Sequence, residues 1–270
     1  MEMKNNTEKL ANFYLEVMEL ENDTEALEWK VVLDPQQLKQ REEGEATLAL
    51  VPPELPWEKV YERFCSVARS CQKWQAGPQH VSDAFLKALE EVDESQRKSF
   101  ITSLFKVDGQ LVKWAKQLEV PVDLLDFIAR VTFKPFFKTY REAVLEQVQL
   151  NDWMQGHCPV CGDQPTTAKL AGKEGYRKLY CGRGETEWRY RRLGCPYCKD
   201  ENTSKALFIT MDDSKQYRIY LCERCKSNLK TIDERACGEV DLFCEDLATV
   251  ELDQLAQAEG YRRGDRRQQV

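Results

Sequence analysis

The sequence lacks the features that would point to a membrane protein or an enzyme. None of its 270 residues falls in a run of 18 apolar residues, so no membrane span is expected. Residues 1–20 are acidic and amphipathic, without the basic start and apolar stretch of a signal peptide, which predicts a cytoplasmic location. Phosphate-binding loops, dinucleotide fingerprints and nucleophile elbows are also absent. We therefore predict that the protein is not an enzyme and has no catalytic residues.

Histidine is scarce, whereas cysteine is abundant. The chain has 2 histidines, His80 and His157, and 11 cysteines. Seven of the cysteines lie between residues 158 and 225, where Cys-x-x-Cys pairs recur. Such a pair on a tight turn points two thiolates at one ion, and a reducing compartment favours metal binding over disulfides. The predicted metal ligands are Cys158, Cys161, Cys181, Cys195, Cys198, Cys222 and Cys225.

The last four of these cysteines form two complete pairs. Cys195 and Cys198 are followed, after a segment long enough for a hairpin, by Cys222 and Cys225. Two facing pairs complete a tetrahedral four-sulfur site. Both zinc and iron suit such a site, so the spacing predicts one of these metals without choosing between them.

The first centre is incomplete. Its ligands would be Cys158, Cys161 and Cys181, but Gly184 stands where the second pair needs another thiolate. His157 or an oxygen of Glu185 could complete the shell, water could occupy the fourth position, or the site could be weak or empty. Crossed pairing between the two centres is also open. We thus expect one or two ions per chain.

Four further cysteines have no partner at metal-binding spacing. They are Cys65, Cys71, Cys237 and Cys244. We expect them to be core or near-surface apolar residues. His80 follows Gly77-Pro78 and is expected in a loop.

The fold class predicted is α+β, with an N-terminal all-α bundle, tandem small rubredoxin-like or zinc-ribbon modules and a C-terminal helix. Helical periodicity covers residues 1–156, with Pro135 either kinking a long helix or starting a new one. Short β-rich stretches between glycines indicate two metal modules over residues 157–235. Residues 236–262 form a helix that packs back, and residues 263–270 a frayed tail.

A basic and aromatic cluster lies in the metal-binding region. It consists of Arg177, Lys178, Arg183, Arg189, Arg191 and Arg192 around Tyr180, Trp188 and Tyr190. These side chains could face water, bind an acidic protein surface, or stack on single-stranded nucleic acid. The net charge of −7 argues against nucleic acid. We expect Trp188 and the arginines to be exposed and available to a partner.

The cysteine region resembles the FdhE family of formate dehydrogenase accessory proteins. The resemblance is specific from residue 156 to 262 and looser over the helical half. The stretches that carry it are Cys158-Pro-Val-Cys161-Gly-Asp-Gln-Pro165, Leu179-Tyr-Cys181, Glu187-Trp188-Arg189, Arg191-Arg-Leu-Gly-Cys195-Pro-Tyr-Cys198, Tyr220-Leu-Cys222-Glu-Arg-Cys225, Leu229-Lys230, Asp246-Leu-Ala-Thr249, Leu252-Asp253 and Gly260-Tyr-Arg262.

This resemblance implies a helical domain followed by two rubredoxin-like modules that bind iron. It also implies a cytoplasmic protein that contacts the catalytic subunit of a molybdenum- or tungsten-containing formate dehydrogenase and is needed for that enzyme to mature. The seven cysteines would be the metal ligands. The family pattern Cys-x-x-Cys-x-Thr/Ser-Glu-Trp is broken here by Gly184, while Thr186-Glu187-Trp188 remains.

Two other functions are compatible with the cysteine pattern. A nucleic-acid-binding zinc ribbon would use the basic and aromatic cluster. A rubredoxin-like redox carrier would use iron in the cysteine sites.

Overall fold

A computed structural model of the chain describes residues 2–20, 29–106, 110–201, 207–210 and 215–264. The described helices are α1 Glu2–Glu19, α2 Pro35–Glu42, α3 Thr47–Leu50, α4 Trp57–Trp74, α5 Asp83–Glu90, α6 Glu94–Lys106, α7 Gln110–Gln117, α8 Val122–Leu145, α9 Glu234–Cys237, α10 Leu242–Ala248 and α11 Val250–Ala258. The strands are β1 Thr167–Ala171, β2 Tyr176–Cys181, β3 Thr186–Tyr190, β4 Leu207–Thr210, β5 Tyr217–Leu221, β6 Ser227–Asp233 and β7 Arg262–Arg263. The α+β class, helices first and β-hairpins later, is confirmed.

The chain forms two compact units whose borders differ from the predicted boundary at residue 156. The first unit comprises Met1–Glu28 and Glu54–Thr139, and the second comprises Trp29–Pro53 and Tyr140–Val270. The segment Trp29–Pro53 therefore belongs with the cysteine-rich region, although it precedes most of the helices.

The first unit is a helical bundle with an aromatic core. Along α4, Val60, Phe64, Val67 and Cys71 recur at helical spacing and form one buried face, with each side chain at most 1% exposed. The ring of Phe100 on α6 packs edge-on against Phe64 at 5.1 Å between centroids. Helical periodicity in this half of the sequence was thus sufficient to identify the buried face.

Helix α8 runs through Pro135 without interruption. Proline has no backbone N–H and normally breaks a helix. Of the two outcomes predicted for Pro135, the start of a new helix is wrong.

The second unit is built on one seven-stranded sheet in the order β3-β2-β1-β6-β5-β4, with β7 added beside β6. Strands β1, β2 and β3 form one antiparallel meander, and β4, β5 and β6 form another. The two meanders join where β1 pairs in parallel with β6, from Thr167 opposite Lys230 to Leu170 opposite Asp233. The two predicted metal modules therefore share a single continuous sheet.

The central strands β1 and β6 are buried along their whole length. Each nevertheless carries a lysine, because each lysine has acidic partners. Lys169 pairs with Glu187 and Glu234 at 3.0 and 3.1 Å. Lys230, 1% exposed, pairs with Asp246 and Asp253 at 2.7 and 2.8 Å. A buried charge is tolerated only with such compensation.

The predicted C-terminal helix is divided into α10 and α11, with a break at Thr249 (φ −113°, ψ 29°). The Lys230 ammonium reaches this break and donates to the carbonyl oxygens of Asp246 and Thr249, at 2.8 and 3.3 Å. The two helices pack on the sheet through Leu242 and Leu252, which are at most 3% exposed. Lys230 thus connects the sheet to both helices.

The end of the chain is ordered further than the sequence indicated. Arg263 lies in β7 and bonds to Asp253 at 3.1 Å, whereas the predicted frayed tail from residue 265 onward lies outside the described residues. In the described part of the chain, no helix has both the length and the apolar composition needed to cross a bilayer.

Replacing Lys230 with methionine should destabilise the second unit by about 2–4 kcal/mol, because two half-buried carboxylates lose one of their two cationic partners and two carbonyls lose a donor. The measurement is equilibrium urea unfolding followed by circular dichroism. Lys178→Met is the matched control, since Lys178 is half-buried on β2 and its pair with Glu187 is long at 3.4 Å. That control should cost less than about 1 kcal/mol. Equal effects of the two changes would contradict the anchoring role of Lys230.

Candidate metal centres

The second centre brings together all four cysteines predicted for it. Cys195 and Cys198 lie after β3, and Cys222 and Cys225 lie between β5 and β6, so the hairpin β4–β5 separates the two pairs. Their sulfur atoms all lie within 4.8 Å of one another. The cysteines group in the order of the sequence, so the alternative of crossed pairing between the two centres is wrong.

The sulfur spacing in this centre fits a metal rather than a disulfide. Cys195 Sγ is 3.7 Å from Cys225 Sγ, and Cys198 Sγ is 3.6 Å from Cys222 Sγ. A metal–sulfur bond of about 2.3 Å in a regular tetrahedron places the sulfurs roughly 3.8 Å apart. A disulfide would require about 2.05 Å. The donor set and its spacing therefore suit a tetrahedral thiolate site for zinc or iron.

Each Cys-x-x-Cys turn is called a knuckle, and Cys181–Gly184 is counted as an incomplete one. All four share a strained backbone turn. The residue after each second position has a positive φ: 77° at Gly162, 56° at Glu185, 59° at Lys199 and 55° at Lys226. Three of these four are not glycine, although the left-handed region costs other residues roughly 1 kcal/mol or more. The turn persists because it directs both cysteines of a knuckle to the same point.

The first centre gathers three thiols. Cys158, Cys161 and Cys181 lie within 4.8 Å of one another, with 3.5 Å between the sulfurs of Cys161 and Cys181. Cys158 and Cys181 are buried, at 0% and 1% exposed. Within the described part of the chain, no histidine or carboxylate completes this group.

The first centre lacks the side chain of a fourth ligand, but it keeps the backbone turn that would carry that side chain. Glu185 N donates to Cys181 O at 2.9 Å, as Gly162 N does to Cys158 O and Lys226 N does to Cys222 O. Gly184 is buried and does not have a positive φ. The backbone of a complete knuckle is therefore present, with a glycine where a thiolate would stand.

The structure does not support His157 as the missing ligand. Its Nε2 atom lies 3.0 Å from the carbonyl oxygen of Gly44, and its own carbonyl accepts from Trp153 Nε1 at 2.8 Å. Glu185 is likewise outside the ligand group, and its carbonyl accepts from Arg141 at 2.8 Å. Of the outcomes predicted for this centre, two stay predictions: a water in the fourth position beside three thiolates, and a weak or empty site.

The segment Trp29–Pro53 braces the first knuckle, which the sequence did not reveal. Thr47 N donates to Pro159 O at 3.1 Å, and Leu48 N donates to Val160 O at 2.8 Å. The backbone between Cys158 and Cys161 is therefore held by a segment more than a hundred residues away. No local pattern could have identified this contact.

In both centres, hydrogen bonds between neighbouring cysteines shift the pKa values of their thiols in opposite directions. Burial raises the pKa of the Cys158 thiol to about 12, while hydrogen bonds from Cys158 and Cys181 lower the pKa of Cys161 well below its usual range. In the second centre, the hydrogen bond from Cys195 lowers the pKa of Cys225 to about 4. Each group thus holds a thiolate beside protonated thiols, and an ion that binds must displace the remaining protons.

The other cysteines lie apart from both centres. Cys71 is buried in α4, where burial raises the pKa of its thiol to about 12. Cys65 and Cys237 are half-buried, and Cys244 is exposed. These environments match the core and near-surface roles predicted for them. His80 is exposed between α4 and α5, as expected for a loop residue.

The basic and aromatic cluster does not form the exposed patch that was predicted. Trp188 is 1% exposed and its Nε1 donates to Gln155 O at 3.0 Å, so the expectation that Trp188 is available to a partner is wrong. Tyr180 and Tyr190 are also buried. Stacking on bases requires open ring faces, and these three rings offer none.

The arginines of the cluster are divided between the interior and the surface. Arg177 and Arg183 are buried, at 2% and 3% exposed. Arg191 pairs with Glu201, and Arg189 is exposed with its guanidinium 5.5 Å from the Tyr176 ring. Alternation along β2 and β3 sends neighbouring residues to opposite faces, and both faces of this sheet carry covering elements.

Comparisons with known proteins agree with the cysteine pattern. The pattern described as "FdhE, central domain" matches residues 157–192. An FdhE homolog from Aquifex aeolicus is 24% identical over 265 residues, covering 96% of this chain and 87% of the relative. Protein FdhE from Escherichia coli is 31% identical over 110 residues, covering 40% of this chain and 35% of the relative.

Two further relatives extend these matches. An FdhE homolog from Shewanella baltica is 28% identical over 183 residues, covering 64% of this chain and 60% of the relative. The crystal structure of the FdhE protein from Pseudomonas aeruginosa superposes with a TM-score of 0.59 at 20% identity, covering 96% of this chain and 92% of that one. The fold is therefore shared over nearly the whole chain.

Replacing Cys195 or Cys222 with serine should release the ion of the second centre and lower the melting temperature of the second unit, because an incomplete shell loses much of the folding energy that the metal supplies. Metal content per chain and thermal unfolding are measured on anaerobically purified protein. Cys244→Ser is the control, since Cys244 is exposed and outside both centres. Metal content and melting that stay at the wild-type level would refute a structural metal here.

Restoring the missing thiolate with Gly184→Cys should strengthen the first centre. The backbone already has the knuckle turn, so the variant should release its first-centre ion to a chelator at least about tenfold more slowly, a difference of about 1.4 kcal/mol. Gly184→Ala is the control for side-chain bulk. Identical release from the cysteine, alanine and wild-type proteins would mean that residue 184 does not face the ion.

Proposed function

We propose that this chain, which belongs to the FdhE family, is an accessory protein needed for a formate dehydrogenase to reach its active form and is not an enzyme in its own right. The observation that carries the proposal is the central-domain match over residues 157–192, which includes three of the proposed metal ligands. Similarity to FdhE homologues over 96% of the chain supports extending it to the whole molecule.

The metals have a structural task in this proposal. Cys195, Cys198, Cys222 and Cys225 hold one zinc or iron ion, and the three thiols of the first centre hold a second, more labile one. A bound ion links two turns that are distant in sequence and neutralises part of the thiolate charge; iron would additionally supply one-electron redox chemistry. The protein's own contribution is the paired knuckles, which bring the thiolates together at the ends of the hairpins.

The proposed partner is the catalytic subunit of a molybdenum- or tungsten-containing formate dehydrogenase. Exposed apolar side chains on the metal-bearing sheet support a docking role. Phe208 on the edge strand β4 is 53% exposed, and Leu193 beside the second centre is 49% exposed. Large apolar groups left in water often mark protein interfaces.

A cytoplasmic location is part of the same proposal. All 11 cysteines are free thiols in the structure, and two clusters of them need reducing conditions to remain competent for metal. Nucleic acid is not proposed as a partner, because the aromatic rings of the basic cluster are buried.

The direct test is genetic and biochemical in the organism that encodes the chain. Deleting the gene should abolish formate dehydrogenase activity, and the tagged wild-type protein should restore it and retain the catalytic subunit on an anaerobic affinity column. A Cys195→Ser chain should fail in both respects, whereas Cys65→Ser should succeed, since Cys65 lies outside both centres. Full dehydrogenase activity in the deletion strain would overturn the proposal.

A further inference from the structure

The incomplete knuckle, Cys181–Gly184, leaves one corner of the first centre without a ligand. Cys158, Cys161 and Cys181 supply three sulfurs, and no histidine or carboxylate among the described residues joins them. A thiolate-bound metal ion in a protein takes four donors in a tetrahedron, and a site with only three protein ligands completes its shell from outside. An ion in the first centre therefore has one position for a ligand that the described chain does not provide.

The second centre shows what surrounds the second sulfur of a complete knuckle. Ser227, two residues beyond Cys225, hydrogen-bonds to the Cys225 sulfur through its hydroxyl and its backbone N–H. In the other knuckle of this centre, Cys198 likewise accepts a backbone hydrogen bond from Asp200, two residues beyond it. Such bonds orient a metal ligand and stabilise its negative charge. A hydroxyl at this position is thus a partner for a metal-bound sulfur.

Thr186 occupies the same position relative to Gly184 and also carries a hydroxyl. The turn before it closes with the backbone hydrogen bond from Glu185 N to Cys181 O, the equivalent of the one in the Cys222 turn. Thr186 lies directly opposite Cys181 in the β2–β3 pair, and residues paired in this way project their side chains from the same face of a sheet. The Thr186 side chain therefore lies on the face that carries the Cys181 ligand.

The Thr186 hydroxyl is buried and has no hydrogen-bond partner among the described residues. The residue as a whole is 1% exposed. Ser227 has the Cys225 sulfur as its partner, whereas the equivalent sulfur is missing at Gly184. A buried polar group without a partner costs about 1–3 kcal/mol, so its retention in a folded protein requires an explanation. The explanation consistent with both centres is that the partner of Thr186 is a ligand bound at the fourth position.

The missing side chain sets the size of that ligand. Cysteine exceeds glycine by one carbon and one sulfur, and methanethiolate consists of the same two atoms with their hydrogens. Gly184 is buried, which leaves little room for a larger group. Burial does not bar so small a ligand, because an ion must reach sulfurs that are equally buried, those of Cys158 and Cys181. Cys161 is half-buried, so the centre has a side near solvent.

We propose that the first centre, when it holds its ion, binds a thiolate no larger than methanethiolate in place of the missing side chain at residue 184, and that the Thr186 hydroxyl donates a hydrogen bond to its sulfur. An ion already bound to three thiolates favours a soft donor. The thiol releases its proton to solvent as its sulfur bonds to the ion, so no oxidant or reductant is needed. The inference rests on the first centre holding an ion, as proposed above, and not on a role in formate dehydrogenase maturation.

The test replaces the native ions with cobalt(II), whose visible absorption reports the sulfurs bonded to it. Wild-type protein with cobalt in both centres is titrated anaerobically with methanethiol. The spectrum should change saturably and converge on that of Gly184→Cys, in which the chain itself supplies the fourth sulfur. Gly184→Cys should not respond to methanethiol. Methanol, which lacks sulfur, and 2-methyl-2-propanethiol, which is too large, should leave the wild-type spectrum unchanged.

Two variants of Thr186 test the hydroxyl itself. Thr186→Val keeps the shape of the side chain without the donor and should weaken methanethiol binding at least about tenfold, whereas Thr186→Ser should bind methanethiol as the wild type does. Cobalt content should be the same in all three proteins, which separates a role toward the ligand from a role in folding. Equal methanethiol affinity of the valine variant and the wild type would overturn the role assigned to Thr186.

Three results would overturn the binding site as a whole. They are a wild-type spectrum that methanethiol does not change, an equal change with 2-methyl-2-propanethiol, and a first centre that takes up no cobalt. Each is distinguishable from failure of the accessory role, because the gene-deletion test measures dehydrogenase activity and involves no added thiol.

Discussion

The convergence of two cysteine knuckles on one point is the constraint on which the second half of the molecule depends. Cys195 and Cys198 follow the first meander, and Cys222 and Cys225 precede the central strand β6 of the second. Four thiolates with sulfur atoms 3.6–3.7 Å apart would repel one another, and a bound cation would offset that repulsion. The strained turns at Lys199 and Lys226 serve the same end, since each directly follows the second cysteine of a pair.

The two centres differ in how their knuckles are supported. The second is half-buried and has four thiols. The first has three thiols in a buried setting, and the segment Trp29–Pro53 holds its complete knuckle through backbone hydrogen bonds. Loss of the thiolate at residue 184 thus coincides with a site that protein contacts already hold together. The two centres lie on one hydrogen-bonded sheet, which is continuous through the β1–β6 pairing.

Much of this arrangement could be predicted from the sequence, and the failures have identifiable physical causes. The buried face of α4 and the four ligands of the second centre follow from local spacing alone. The parallel pairing of β1 with β6 could not be foreseen, because it joins strands about sixty residues apart that carry no turn signal for each other. Nor could the break at Thr249, which the Lys230 ammonium stabilises from a different strand. The arginines that flank Trp188 in the sequence predict an exposed ring, whereas covering elements bury both faces of the sheet.

The most direct test is X-ray absorption spectroscopy at the metal edge on anaerobically purified protein, which reports the atoms bonded to the ion. The account predicts a shell dominated by sulfur at about 2.3 Å, with four sulfurs around the ion that the 195/198/222/225 group holds. A shell dominated by nitrogen or oxygen, or protein that contains no transition metal, would contradict it.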